Sequence, residues 1–217
     1  AGNRQGDRGV TYAMPAPLAN RFTHYDVEAY LDDWVSWAYA NDIDERILGF
    51  LRFRPDMLFN YDAAHNPVAF PSPRSWEYAH RALKKFADRP DLLTDALQAC
   101  VGQACGVELK AYIDNLENLP DIDAILAGQE VGVPKSIDLQ YGVAAALVRR
   151  ARESAGDMAK LGNVLKYAKN FPQREMGVML VTDLHRAVGQ PLFKVPEFVA
   201  WANSVAELML YDFKPSA

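Results

Sequence analysis

Several things this chain has little or none of narrow its possibilities. Cysteine is almost absent: Cys100 and Cys105 are the only two in 217 residues. Without a second matching pair they make neither a disulfide framework nor a four-cysteine zinc site. They are expected to be buried, reduced thiols, which suits a cytoplasmic protein. No apolar run approaches the length of a membrane span, the longest clear one being 143–148. No secretory leader is apparent, since Arg4, Gln5, Asp7 and Arg8 interrupt the start. There is no excess of positive charge either, with 23 Lys and Arg against 28 Asp and Glu and a net charge of −5. A general attraction to nucleic acid or to an anionic membrane is therefore not indicated.

Catalytic and metal motifs are equally scarce. His24, His65, His80 and His185 are scattered, with no Glu-x-x-His arrangement and no Gly-x-Ser-x-Gly elbow. Asp32-Asp33 and the acidic residues from Asp42 to Glu45 sit where helix faces and starts are expected, so no metal site is assigned. The segment from Gly128 to Ser136 ends in Lys135-Ser136 like a phosphate-binding loop. The spacing fails, because Gln129 and Pro134 stand where that loop needs glycine. Proline there also removes a backbone donor, so the segment reads as a linker.

What remains is ample material for a helical core: half of the residues are hydrophobic. Asp26 is positioned to cap a helix with Val27, Tyr30, Leu31, Trp34, Val35 and Ala38 on one face. Asp44 can cap a second, with Ile47, Leu48 and Leu51 inward, and Pro55 suits the first turn of a short third. Ser72-Pro73 is a strong helix start, followed by a stripe of Trp76, Ala79, His80, Leu83 and Phe86. Further helices are expected over 91–100, 107–118, a short stretch after Pro120, and then 136–154, 157–170, 174–188 and 195–211. In the last, Val195, Phe198, Val199, Ala202 and Val205 form a stripe expected to pack inward. The Gly, Val and Pro segment over 128–134 is the clearest break. One strand is expected, Phe22 to Tyr25, belonging to a sheet whose other members lie upstream or in another subunit.

Three polar elements occur in a distinctive order. Ala1-Gly2-Asn3 opens the chain, Leu18-Ala19-Asn20-Arg21-Phe22 follows a Met-Pro-x-Pro context, and Ser72-Pro73-Arg74 precedes Ser75-Trp76. Taken singly, Asn3 suits a turn, Arg21 a surface flanking a strand, and Arg74 an ion pair with Glu77. In order and context, they resemble AAA+ ATPases of the MoxR-like branch over roughly the first 130 residues.

The resemblance implies a mainly α chain: the end of an α/β nucleotide-binding core at 1–26, a helical lid over 27–130 and a helical C-terminal extension over 131–217. It implies that Asn3, at the sensor 1 position, orients the attacking water in ATP hydrolysis. Arg21 would be the arginine finger, serving a neighbouring subunit's transition state. Arg74, at the sensor 2 position, would contact nucleotide bound in its own subunit. ATP and Mg would be the cofactors, with the phosphate loop and metal ligands expected upstream of a chain that starts inside a motif. Gly2-Asn3-Arg4 departs from the Asn-Pro often seen at sensor 1. The resemblance further implies a homo-oligomeric ring, commonly a hexamer, a chaperone-like remodelling activity, and a partner carrying a von Willebrand factor A domain. The chain by itself is expected to be inactive. The other reading is a nucleotide-independent helical protein-interaction module on an ATPase-derived scaffold.

Overall fold

The computed structural model describes residues 14–61, 68–154 and 156–211, with side chains through 206. Among these residues the secondary structure is entirely helical. The first helix, α1 (Ala16–Ala19), is a single turn that buries no residue. An extended stretch leads to α2 (Leu31–Ala40), then α3 (Glu45–Phe53), a 3-10 turn at Pro55–Met57, and α4 (Pro73–Lys85). Next come α5 (Pro90–Val101), α6 (Gln103–Asn115) and the short α7 (Ile122–Leu126). The chain finishes with α8 (Ile137–Glu153), α9 (Met158–Ala168), α10 (Arg174–Val188) and α11 (Pro196–Tyr211).

Most expected helix starts are explained by local chemistry. The Asp44 carboxylate accepts the Arg46 N–H at 3.0 Å and opens α3. Ser72 and Ser75 cap one another at the start of α4, each hydroxyl accepting the other's backbone N–H at 3.1 and 2.7 Å. Gly102 ends α5 with φ of 87°, a conformation that side chains resist. Gly106, expected to separate two helices, lies inside α6, where its missing side chain lets α6 meet the backbone of Gln98.

Two sequence expectations fail near the N-terminus. Asp26 does not cap a helix: α2 starts at Leu31, and Val27 and Tyr30 are 82% and 63% exposed. A turn begun at Asp26 would project beyond the bundle, with nothing to bury its apolar face, and short helices draw their stability from that burial. Phe22 to Tyr25 is not a strand, since no neighbouring strand exists among the described residues to pair with it. Of the expected α/β core remnant, the described part therefore holds α1 and an exposed extended segment.

The core is built on α3 and α8, which pack along each other, with α10 against α8 and α2. On the other side α5 joins α4 to α6. Ile47, Leu51, Val143 and Leu147 are fully buried at the centre. The segment over 128–134 is non-helical, yet the apolar core runs without interruption from α2 to α11 across it. Late in the chain, Val195, Trp201 and Val205 are buried and Phe198 and Ala202 partly so, whereas Val199 is 63% exposed. The inward stripe of α11 is thus rotated toward Trp201. Cys105 is buried and Cys100 half-buried, both as free thiols. Burial pushes the Cys105 thiol up to about 12. Among the described residues no helix is long and apolar enough to cross a membrane.

Candidate functional site

Of the three polar residues singled out in the sequence, Asn3 lies outside the described residues. Arg21 and Arg74 are both exposed on the N-terminal half of the chain. Arg21 sits in the turn that closes α1, its N–H donating to the Leu18 carbonyl at 3.0 Å. Three residues on, the His24 ring reaches back to the Ala19 carbonyl at 2.9 Å. Around this turn, residues 14–30 are exposed throughout except for the half-buried Ala19. The exposed set includes Met14, Leu18, Phe22, Tyr25, Val27 and Tyr30, an apolar concentration that ordinary surfaces rarely present.

Arg74 occupies the second position of α4, a helix start held from several sides. Besides the paired serine cap, the Ser75 hydroxyl donates to the Phe70 carbonyl at 2.9 Å. Trp34 Nε1 donates to the Pro73 carbonyl at 3.2 Å, and Trp76 Nε1 to the Met57 carbonyl at 2.9 Å. The guanidinium therefore projects from a fixed platform at the positive end of a helix dipole, a setting that favours anions. The ion pair with Glu77 does not form, because Glu77 is taken by Arg81 one turn further on. Beside this platform a groove of about 470 Å³ is lined by Val27, Glu28, Ala29, Phe59 and Pro73. The groove brings the extended segment and the start of α4 together. No contact between Arg21 and Arg74 is formed.

The look-alike phosphate loop is occupied with structural work. The Pro134 carbonyl accepts from Gln140 Nε2 at 2.9 Å, and the Gly132 carbonyl accepts from the Tyr167 hydroxyl at 3.4 Å. Lys135 is exposed. With α9, the segment borders a second groove of about 470 Å³, where Asn163 donates to the Leu126 carbonyl and so closes the end of α7. Among the described residues no three His, Cys, Asp or Glu side chains gather closely enough to hold a metal ion.

One polar cluster escaped the sequence reading altogether. Arg52 of α3 grips Asp183 of α10 with two hydrogen bonds, at 2.9 and 2.5 Å, across a separation of 131 residues. Asp183 is 4% exposed. Its Oδ1 also accepts from Arg186 at 2.8 Å, and Arg52 Nη1 reaches Asp32 of α2 at 2.8 Å. Tyr39 lies fully inside this cluster; burial, and then the Asp183 carboxylate, push its phenol well above the ordinary value. Burial alone would lower the Arg52 pKa, but Asp183 and Asp32 more than offset it, and the guanidinium is held firmly charged. The available signal was Asp183 itself, a carboxylate falling between Leu180 and Leu184 on the inward face of α10.

His80 is also buried, and its Nδ1 accepts the Asp44 N–H at 3.0 Å, so the ring ties α4 to the start of α3. Burial, reinforced by Lys84, lowers its pKa below the ordinary histidine value. This accounts for the ring as a neutral structural acceptor. Comparison with protein-family models, with curated proteins and with solved structures finds no match to this chain.

Proposed function

We propose that this chain is part of an ATP-hydrolysing remodelling enzyme resembling the MoxR-like AAA+ proteins, in which it supplies sensor and finger residues to a nucleotide site shared with other sequence. The observation that carries this reading is Arg74. It stands in a Ser-Pro-Arg context, exposed on a helix start fixed by the Ser72 and Ser75 cap, and Glu77 does not neutralise it. A guanidinium so placed can meet nucleotide phosphates and couple their presence to the angle of the helices behind it.

Arg21 supports the reading by its exposure within Leu-Ala-Asn-Arg-Phe, a position suited to reaching a neighbouring subunit. Its always-charged fork would stabilise charge on the transferring phosphoryl group. Asn3 would orient the water. ATP with Mg, a homo-oligomeric ring such as a hexamer, a cytoplasmic setting and a von Willebrand factor A partner belong to the same proposal.

The test is a mixing experiment in the full-length enzyme. Arg21→Ala should leave ATP binding intact and lower turnover roughly a thousandfold or more. Combining that subunit with one lacking its own phosphate-loop lysine but retaining Arg21 should restore activity, because the second lends its finger to the first. Arg74→Ala should weaken nucleotide binding, and no neighbour should rescue it. Assembled Arg21→Ala mixtures that bind ATP yet recover no turnover would count against the finger role.

A second reading is favoured by one observation: the helices close an apolar core by themselves, while residues 14–30 bury almost nothing. That suits a nucleotide-independent helical interaction module. A Gly-x-x-x-x-Gly-Lys-Ser/Thr loop encoded upstream would favour the ATPase, and its absence there the module.

A further inference from the structure

The exposed stretch over 14–30 leads directly into α2, and α2 is held differently along its length. Its second half is anchored by apolar packing: Val35 and Ala38 are fully buried and Tyr39 nearly so. The first turn lacks such an anchor. Tyr30, at the capping position, offers no side-chain acceptor, Asp33 is exposed and Leu31 is only partly buried. Apart from the Trp34 ring bonded to Pro73, what ties this turn to the bundle is the Asp32 carboxylate. It receives Arg52 Nη1 at 2.8 Å and lies 3.0 Å from Arg186 Nη1.

Both arginines are also committed to Asp183, so two guanidinium groups and two carboxylates form a closed, neutral set joining α2, α3 and α10. The set is graded from inside to outside. Side-chain exposure rises from 6% at Asp183 through 12% at Arg52 and 23% at Arg186 to 64% at Asp32. The inner Arg52–Asp183 pair belongs to the core. The outer carboxylate stands where water and salt reach it, and ion pairs there are weak and screened.

We propose that Asp32 is a releasable latch through which α10, in the region after residue 131, holds the first turn of α2 and with it the segment that carries Arg21. Opening the latch leaves the two-bond Arg52–Asp183 pair and the apolar half of α2 in place, so it frees one helical turn without unfolding the bundle. The C-terminal helices thereby gain a say in where the Arg21 segment sits. The latch is a property of the fold. Its consequence for catalysis rests on the reading of Arg21 as a finger.

Hydrogen exchange on the intact chain tests it. In Asp32→Asn and in Arg186→Gln, exchange of the amides over 34–36, which close the first turn, should rise roughly twofold to fivefold, the span of an exposed ion pair. Amides over 37–40 should keep their protection. High salt should move the unaltered protein toward the variants. Because Asp32→Asn also removes a carboxylate from the positive end of a helix, Arg186→Gln is the deciding variant. Unchanged exchange in Arg186→Gln and at high salt would overturn the latch, and so would a rise that spreads through the whole of α2. The measurement involves no nucleotide, so its failure is separable from failure of the Arg21 mixing experiment.

Discussion

The hydroxyl of Tyr112, on α6, fills the notch that Gly49 leaves in α3: a Cβ added to Gly49 would collide with Tyr112 Oη. That hydroxyl is buried and has no hydrogen-bond partner. Gly49→Ala should therefore destabilise the protein by about 1–3 kcal/mol through overpacking, outweighing the roughly 1 kcal/mol that alanine offers a helix. Tyr112→Phe should be neutral or stabilising, since it removes an unsatisfied polar group, and it should relieve part of the Gly49→Ala defect. Urea titrations of the two single variants and the double variant check all three statements. A stabilised Gly49→Ala would show that α3 and α6 are not in this contact.

Asp183→Asn leaves Arg52 charged and under-compensated inside the bundle. Breaking one partner of a buried pair costs about 3–5 kcal/mol, so its chemical-denaturation midpoint should fall steeply. Replacing both residues together, Arg52→Met with Asp183→Leu, should cost much less than Asp183→Asn alone. Equal losses would indicate that the pair is not buried as described.

Stability should depend on pH through His80. Its folded-state pKa is depressed because the ring is buried near Lys84 and its Nδ1 must stay unprotonated to accept the Asp44 N–H. The unfolded chain then binds more protons below its pKa of about 6.5. The contribution is fully present above that pH, declines as pH falls below it, and levels off below the folded value. His80→Gln should flatten the slope of the urea midpoint between roughly pH 7 and pH 5 relative to the unaltered protein. Parallel slopes would assign the dependence to other groups.

Truncation after Val188 removes Leu192, Val195, Trp201 and Val205, all buried. It uncovers the face of α9 against which α11 packs. At roughly 1.5–3 kcal/mol for each large apolar side chain, the loss exceeds the margin of a typical domain. The shortened chain should lose its cooperative thermal transition. An unchanged transition would mean that α11 is not part of the core.

Residues read from the sequence and residues seen only in the fold differ in kind. The starts of α3 and α4 were legible because Asp44, Ser72 and Pro73 act on backbone groups within three residues of themselves, and so were the inward faces of α8 and α10, whose apolar spacing repeats over several turns. The beginning of α2 was not. Asp26 and the spacing from Val27 to Ala38 describe a plausible helix, but whether its first turn forms depends on having a neighbour to bury Val27 and Tyr30, and the bundle does not extend that far. The stripe of α11 was misplaced by one position for a related reason: Trp201 decides which side faces α9, and an indole's choice between core and solvent follows from the shape of the cavity that receives it.

The exposed positions of Arg21 and Arg74 agree with their sequence contexts, since each depends on a local turn or cap. The Arg52, Asp183, Arg186 and Asp32 cluster had no such local trace. Its members are polar residues on three helices, with Arg52 and Asp183 separated by 131 positions, and periodicity registers an inward carboxylate only as an irregularity. Which cation meets it is decided by how α3, α2 and α10 pack. Sequence alone thus determined where chain segments become helical, through short-range capping and period, while tertiary structure decided which charges are buried together, because that requires helices distant in the chain to meet.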